Sequence, residues 1–269
     1  MLENIIFNNN PDVPDVVELK NIKQTYDGAK FIIDGCSLLI EKHNNKGNFV
    51  SILGESGCGK STLLRFISGL QEPTFGNILI NGVENSGHQI GMVFQQYSSI
   101  PWLTVLENVV IGLEIQGVPK KEREERAKGL LELVGLSEHI HKYAKYPTLS
   151  GGQLQRVAIA RSLIVNSDIL LMDEPFGALD TNTRIKMQEL LLKIWEQYGL
   201  TIIFVTHDIS EAVYLSNEIF IMKANPGRIV KKIVPELPDT KNPLIKRDPK
   251  FISIVNDIED YIKDISTMP

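Results

Sequence analysis

The chain has 269 residues, 43% hydrophobic and 23% charged, with 28 Lys and Arg against 33 Asp and Glu for a formal charge of −5. That balance fits an ordinary globular chain of one or two domains and argues against a nucleic-acid-binding surface. No apolar stretch approaches the 18 or more residues of a membrane span, and Met1-Leu2-Glu3-Asn4 lacks the basic start of a secretory signal.

Residues 16–26 and 31–40 alternate or run apolar around the turn Asp27-Gly28, which predicts a hairpin. Phe49-Val50-Ser51-Ile52-Leu53 suits a buried strand and leads into Gly54-Glu55-Ser56-Gly57-Cys58-Gly59-Lys60-Ser61, a match to G-x-x-x-x-G-K-[ST]. Its glycines let backbone N–H groups curl around phosphate oxygens, and Lys60 adds a point charge. Ser61 would ligate Mg²⁺, and the apolar-faced helix continuing through Thr62 aims its positive end at the anion. Strand, loop and helix together read as a nucleoside-triphosphate site. The two cysteines are expected to stay reduced, because Cys58 lies inside this loop, where a disulfide would obstruct the nucleotide.

Strands are predicted near 77–82 and 89–94, joined by a polar loop. The character then changes. Residues 103–115 and 120–134 read as helices, the second opened by Pro119 and closed near Gly135, and this helical insert ends near Pro147. A helix over 153–165, a strand over 169–172, a helix over 183–198 and a strand over 201–205 follow. Strands alternating with helices imply a parallel α/β sheet interrupted by a small helical lobe. Residues 233–269 form a tail with a predicted helix over 251–265.

Two further runs bear on chemistry. Ile169-Leu170-Leu171-Met172 delivers Asp173 to the carboxyl end of a strand, where it can hold Mg²⁺, and leaves Glu174 to orient or deprotonate a water. In Leu149-Ser150-Gly151-Gly152-Gln153, Ser150 and Gln153 have capping-box spacing, and the bare glycine amides at a helix start offer a second anion site.

With that pentapeptide the chain resembles the ATP-binding subunits of ABC transporters, over nearly its whole length. The resemblance implies a P-loop NTPase (RecA-like) core with an antiparallel β subdomain and an inserted helical subdomain. The corresponding bounds are an ATPase domain over 16–232, with 16–95 and 153–232 as β subdomain and nucleotide-binding core and 96–152 as helical subdomain. It implies ATP and Mg²⁺ as cofactors, with Gly54, Glu55, Ser56, Gly57, Cys58, Gly59, Lys60, Ser61 and Thr62 around the phosphates and Tyr26 stacked on adenine. Gln95 is similar to the Q-loop glutamine, touching Mg²⁺ or the water. Asp180 in Ala178-Leu179-Asp180 is similar to the D-loop, and His207 to the switch histidine at the γ-phosphate. Ser61, Gln95 and Asp173 would serve the metal, and Glu174, His207, Gln95 and Lys60 the catalysis.

The same resemblance implies a head-to-tail homodimer. ATP would lie between the loop of one copy and Ser150, Gly151, Gly152 and Gln153 of the other. Separate permease subunits would supply the pore, an extracytoplasmic solute-binding protein would be an indirect partner, and the chain would sit on the cytoplasmic face of the membrane. Tyr97, Ile100 and Trp102 are candidates for the permease contact, with packing inside the helical lobe as the other reading of Trp102. Residues 99–109, Asn225-Pro226-Gly227-Arg228-Ile229 and Val234-Pro235-Glu236-Leu237-Pro238 are similar to the nitrate/sulfonate/taurine/bicarbonate importer group. Glu55, unusual in such a loop, is expected to face solvent, and residues 43–48 slightly lengthen a turn. A non-transport ABC ATPase fits less well, because ninety positions separate Lys60 from Ser150 and no heptad run fills them. A silent regulatory subunit is disfavoured by intact Lys60, Glu174 and His207. His139 and His141 read as surface histidines, and Arg228, Lys231 and Lys232 as a solvated strand edge.

Overall fold

A computed structural model describes residues 15–41, 47–85, 90–96, 98–165, 168–238 and 242–267. In chain order the elements are β1 (Asp15–Thr25), β2 (Phe31–Glu41), β3 (Phe49–Gly54), α1 (Lys60–Ile67), β4 (Phe75–Ile80), β5 (Val83–Glu84), β6 (Gly91–Val93), α2 (Val105–Ile115) and α3 (Lys120–Leu133). A 3-10 turn, Ser137–His139, precedes α4 (Gly151–Leu163), β7 (Ile169–Asp173), α5 (Thr181–Tyr198), β8 (Thr201–Thr206), α6 (Ile209–Leu215), β9 (Glu218–Lys223) and β10 (Arg228–Ile233). A second 3-10 turn, Pro243–Arg247, leads into α7 (Pro249–Thr267). The chain divides into two compact units, Met1–His88 with Thr201–Pro269, and Gln89–Leu200.

The first unit holds an antiparallel sheet in the order β2-β1-β4-β5, whose β1–β2 ladder is the predicted hairpin. It also holds β3, paired in parallel with β8 on one side and β9 on the other, while β10 runs antiparallel to β9. All six residues of β3 and of β8 are buried, as central strands of a parallel sheet require. Phe49 and Phe204 pack with ring centroids 6.1 Å apart, and the buried hydroxyls of Ser51 and Ser216 lie 2.5 Å apart. In the second unit β6 pairs in parallel with β7, and α4 crosses close to β6: a Cβ on Gly91 would lie 2.7 Å from the Ser162 carbonyl oxygen.

Several boundaries differ from the sequence reading for local reasons. Helix α4 starts at Gly151 because Ser150 caps it, and α5 starts at Thr181 because Asp180 does. The strand expected over 89–94 is shorter, Gly91–Val93, with Gln89 outside the described residues. The turn at residues 42–46 and Tyr97 also lie outside them. The tail helix is longer than expected, and its first residue is Pro249, a residue suited to a first helical turn. Lys231 and Lys232 are not a merely solvated edge. Lys231 stands 4.1 Å from the centre of the Tyr261 ring of α7, and Lys232 bonds the buried Glu218 carboxylate at 2.9 Å.

Candidate nucleotide site

Strand β3 ends in the phosphate loop. Gly59, at φ +104°, caps α1 with no side-chain hydrogen bond, so no capping side chain stands between the helix start and an anion. An L side chain at Gly59 would be strained, and its Cβ would lie 3.0 Å from Ile33 Cγ1. Lys60 is buried, and its ammonium donates to the carbonyls of Gly54 and Glu55, both at 2.8 Å. The loop thus wraps its own lysine and fixes the direction of the stem. Glu55 is exposed, as expected. Cys58 is buried with Sγ 4.0 Å from Lys60 Nζ. Burial pushes its thiol up while the Lys60 charge pulls the other way, so it packs as a neutral small residue.

The turn after β9 supports the loop from behind. A Cβ on Gly227 would collide with the Cys58 carbonyl, and Gly227 N–H donates to Ile32 O at 2.7 Å while its carbonyl accepts from Asp34 N–H at 3.2 Å. The Asn225-Pro226-Gly227 run therefore has a packing task against the phosphate loop.

Tyr26 follows β1 and is 69% exposed, its hydroxyl accepting from Gln71 Nε2 at 3.3 Å. Beside it, the amides of Lys30 and Ala29 and the Thr25 hydroxyl hold the Asp27 carboxyl low and fix the hairpin turn. His207 is exposed at the carboxyl end of β8. Its neighbours are tied by hydrogen bonds: Thr206 Oγ1 donates to Glu211 Oε2 at 2.9 Å, and Asp208 caps α6 by accepting from Glu211 N–H at 3.0 Å.

The second unit carries Asp173, Glu174 and the Ser150–Gln153 run. Asp173 ends the buried strand β7 and is itself 8% exposed. Glu174 turns off the strand at φ +43°, a conformation rare for a residue with a side chain. Gln95 Nε2 donates to Glu174 Oε2 at 3.3 Å. Strained backbone of this kind concentrates at functional sites. Asp180 caps α5, accepting from the Asn182 and Thr183 amides at 3.1 Å each, and hydrogen bonds from Thr183 and then Asn182 hold its carboxyl low.

The capping box at the start of α4 is present. Gln153 N–H donates to Ser150 Oγ at 3.3 Å, and Ser150 N–H donates to Gln153 Oε1 at 2.9 Å. Gly152 faces its own unit rather than open space: a Cβ there would lie 2.5 Å from Thr183 Cγ2. Ahead of α2, buried Asn108 holds the segment after Gln95. Its Oδ1 accepts from Ile100 N–H at 2.7 Å, and its Nδ2 donates to the carbonyls of Ile100, Leu103 and Thr104. Arg161 adds bonds to Ser98 O at 2.8 Å and Ser98 Oγ at 2.6 Å. Trp102 is 73% exposed, so it does not pack inside the lobe.

The structure therefore joins Gln95 to Glu174 and Ser150 to Gln153 directly. Sequence patterns assign no role to Arg161, to Gly227 in packing, or to His139, whose Nε2 lies 2.8 Å from Gln153 Nε2. Among the described residues no group of three or more His, Cys, Asp or Glu is arranged to hold a metal, and no helix is long and apolar enough to cross a membrane.

A buried parallel strand feeding a glycine-rich loop and a glycine-capped helix, with a lysine folded into the loop, defines a P-loop nucleotide-binding protein. The sequence matches the ABC transporter family over residues 40–177. It is 44% identical over 236 residues to the nitrate import ATP-binding protein NrtD of Synechocystis sp., covering 85% of this chain and 88% of that one. It is 45% identical over 235 residues to the taurine import ATP-binding protein TauB of Chromobacterium violaceum, covering 84% and 87%. The dimeric post-hydrolysis structure of the ATP-binding cassette MJ0796, bound to ADP and Pi, superposes with a TM-score of 0.68 at 36% identity, covering 81% of this chain and 98% of that one. The chain belongs to the ABC transporter family of ATP-binding cassettes.

Proposed function

We propose that the chain is the ATP-hydrolysing, energy-coupling subunit of an importer for a small oxyanion or related solute such as nitrate, a sulfonate, taurine or bicarbonate. The observation that carries the catalytic part is the Gln95–Glu174 hydrogen bond at a strained strand end. The names of the two importer relatives support the transport part.

In this reading the loop amides and Lys60 bind the β- and γ-phosphates, and Tyr26 stacks on the adenine. Glu174 takes the proton of a water that attacks the γ-phosphorus in line, the bond to the leaving ADP oxygen breaks, and inorganic phosphate departs. Gln95 keeps the Glu174 carboxylate in place, and His207 contacts the γ-phosphate. Ser61, Asp173 and Gln95 offer hydroxyl, carboxylate and amide oxygens, a hard donor set that fits Mg²⁺. When bound, that ion would offset phosphate charge. Two copies associate head to tail, with Ser150, Gly151, Gly152 and Gln153 of one copy meeting the ATP held by the other; the dimeric state of the MJ0796 cassette supports the pairing of two copies. Asp180 lies beside that contact.

Closure binds ATP more tightly than the open pair does, and hydrolysis releases it; this differential affinity is what drives attached permease subunits. The chain then works at the cytoplasmic face of the membrane, and an extracytoplasmic binding protein delivers the solute to the permease. Reconstitution with its permease and uptake assays with nitrate, taurine, an alkanesulfonate and bicarbonate test this. The proposal expects Mg-ATP-dependent accumulation of one of them; phosphate release with no uptake of any member of the class would overturn the solute assignment.

A further inference from the structure

His139 ends the 3-10 turn Ser137–His139, and its ring is half-buried. Its Nε2 lies 2.8 Å from Nε2 of Gln153. The orientation of that carboxamide is set by the other contact. Gln153 Oε1 accepts the Ser150 N–H at 2.9 Å, so its NH₂ group faces the imidazole. The imidazole nitrogen must therefore accept, which requires Nε2 to carry no proton. Nδ1 is buried and has no hydrogen-bond partner among the described residues. The polar contact of this ring is thus directed at Gln153.

The consequence runs into α4. A carboxamide turned the other way would set its NH₂ against the Ser150 N–H and leave the cap broken. An acceptor at His139 Nε2 removes that alternative, because only one orientation serves both partners. The same stretch is anchored to α4 a turn later, where Arg156 Nη1 donates to Val134 O at 3.2 Å. The anchor holds the backbone; the histidine holds the amide orientation.

We propose that His139 is a positioning residue for the Ser150–Gln153 run. By accepting from Gln153 Nε2 it locks the carboxamide that caps Ser150, and so presets the hydroxyl and amides at the start of α4 for phosphate. The phosphate step rests on the dimeric function proposed above; the locking of the cap does not.

Two variants separate these parts. His139→Phe keeps a ring and removes the acceptor, whereas His139→Gln returns an acceptor oxygen near the Nε2 position. Hydrogen exchange of the Ser150 amide, followed on the intact protein without nucleotide, reads the cap. Steady-state phosphate release and nucleotide affinity read the function. In His139→Phe, Ser150 exchange is expected to quicken about fivefold, the value of one ordinary hydrogen bond. Turnover is expected to fall by a similar factor with ATP affinity of the single copy unchanged, and His139→Gln to restore both. Unchanged Ser150 exchange in His139→Phe overturns the proposal, as does equal damage from both variants. Faster exchange with unchanged turnover overturns the phosphate step alone. Wild-type protein that releases no phosphate at all counts against the proposed function, while Ser150 exchange still decides the role of His139.

Discussion

Gln95 and Glu174, far apart in sequence, are joined by a 3.3 Å hydrogen bond from the glutamine amide to the carboxylate. Glu174 occupies its place at positive φ, immediately after a fully buried strand. The carboxylate is held from its backbone and from its tip, which suits a group that must keep one water aligned. Glu174→Gln keeps the size and can still bond to Gln95 but cannot accept a proton. Phosphate release should fall by roughly 10²–10⁴-fold while ATP binding persists. Unchanged turnover in a phosphate-release assay would remove Glu174 from the mechanism.

Gly227 tests the packing behind the phosphate loop. Its missing Cβ is what lets the Cys58 carbonyl approach. Gly227→Ala should cost about 1–3 kcal/mol in urea unfolding, the usual range for overpacking, and should weaken ATP binding because the strain falls on the loop. A variant as stable and as tight-binding as the parent would mean that the turn yields without moving Cys58.

Trp102 is exposed, so its removal should leave stability within about 0.5 kcal/mol. Recovery of the permease in a pull-down should fall with Trp102→Ala, while ATP binding stays unchanged. Full permease recovery would place the docking surface elsewhere.

Cys36 gives a pH signature. Burial raises its thiol from 9.0 to about 11, so the folded chain holds this proton more tightly than the unfolded chain does. Its contribution to stability is complete below pH 9 and is lost as pH rises toward 11, about 3 kcal/mol in all. Urea midpoints should therefore decline more steeply between pH 9 and 11 for the parent than for Cys36→Ala. Parallel profiles would show that the thiol does not titrate with unfolding.

The features legible in the sequence are local ones. The hairpin follows from alternation, the phosphate loop from spacing, and the α4 cap from Ser150 and Gln153 three residues apart. Contacts between distant segments leave no such trace. Nothing in Asn225-Pro226-Gly227 announces the Cys58 carbonyl, and nothing around His139 announces Gln153. Asn108, one residue in a polar-apolar helix start, gives no hint that it gathers three carbonyls and an amide. Helix α6 spans only seven residues, too few for a periodic signal. Lys231 reads as a solvated edge residue because the ring beneath it, Tyr261, belongs to the distant tail helix. For Trp102, burial and exposure are equally compatible with its neighbours in sequence, and only the fold decides between them.

In the proposed reaction one copy contributes the phosphate loop and another contributes Ser150 to the same ATP. Mixing two inactive variants, Lys60→Ala and Ser150→Arg, tests this sharing. A mixed pair holds one site with both Lys60 and Ser150 intact, so phosphate release should reappear on mixing, although each variant alone is silent. Continued silence of the mixture, with mixed dimers demonstrated by tag-based capture, would contradict the shared site.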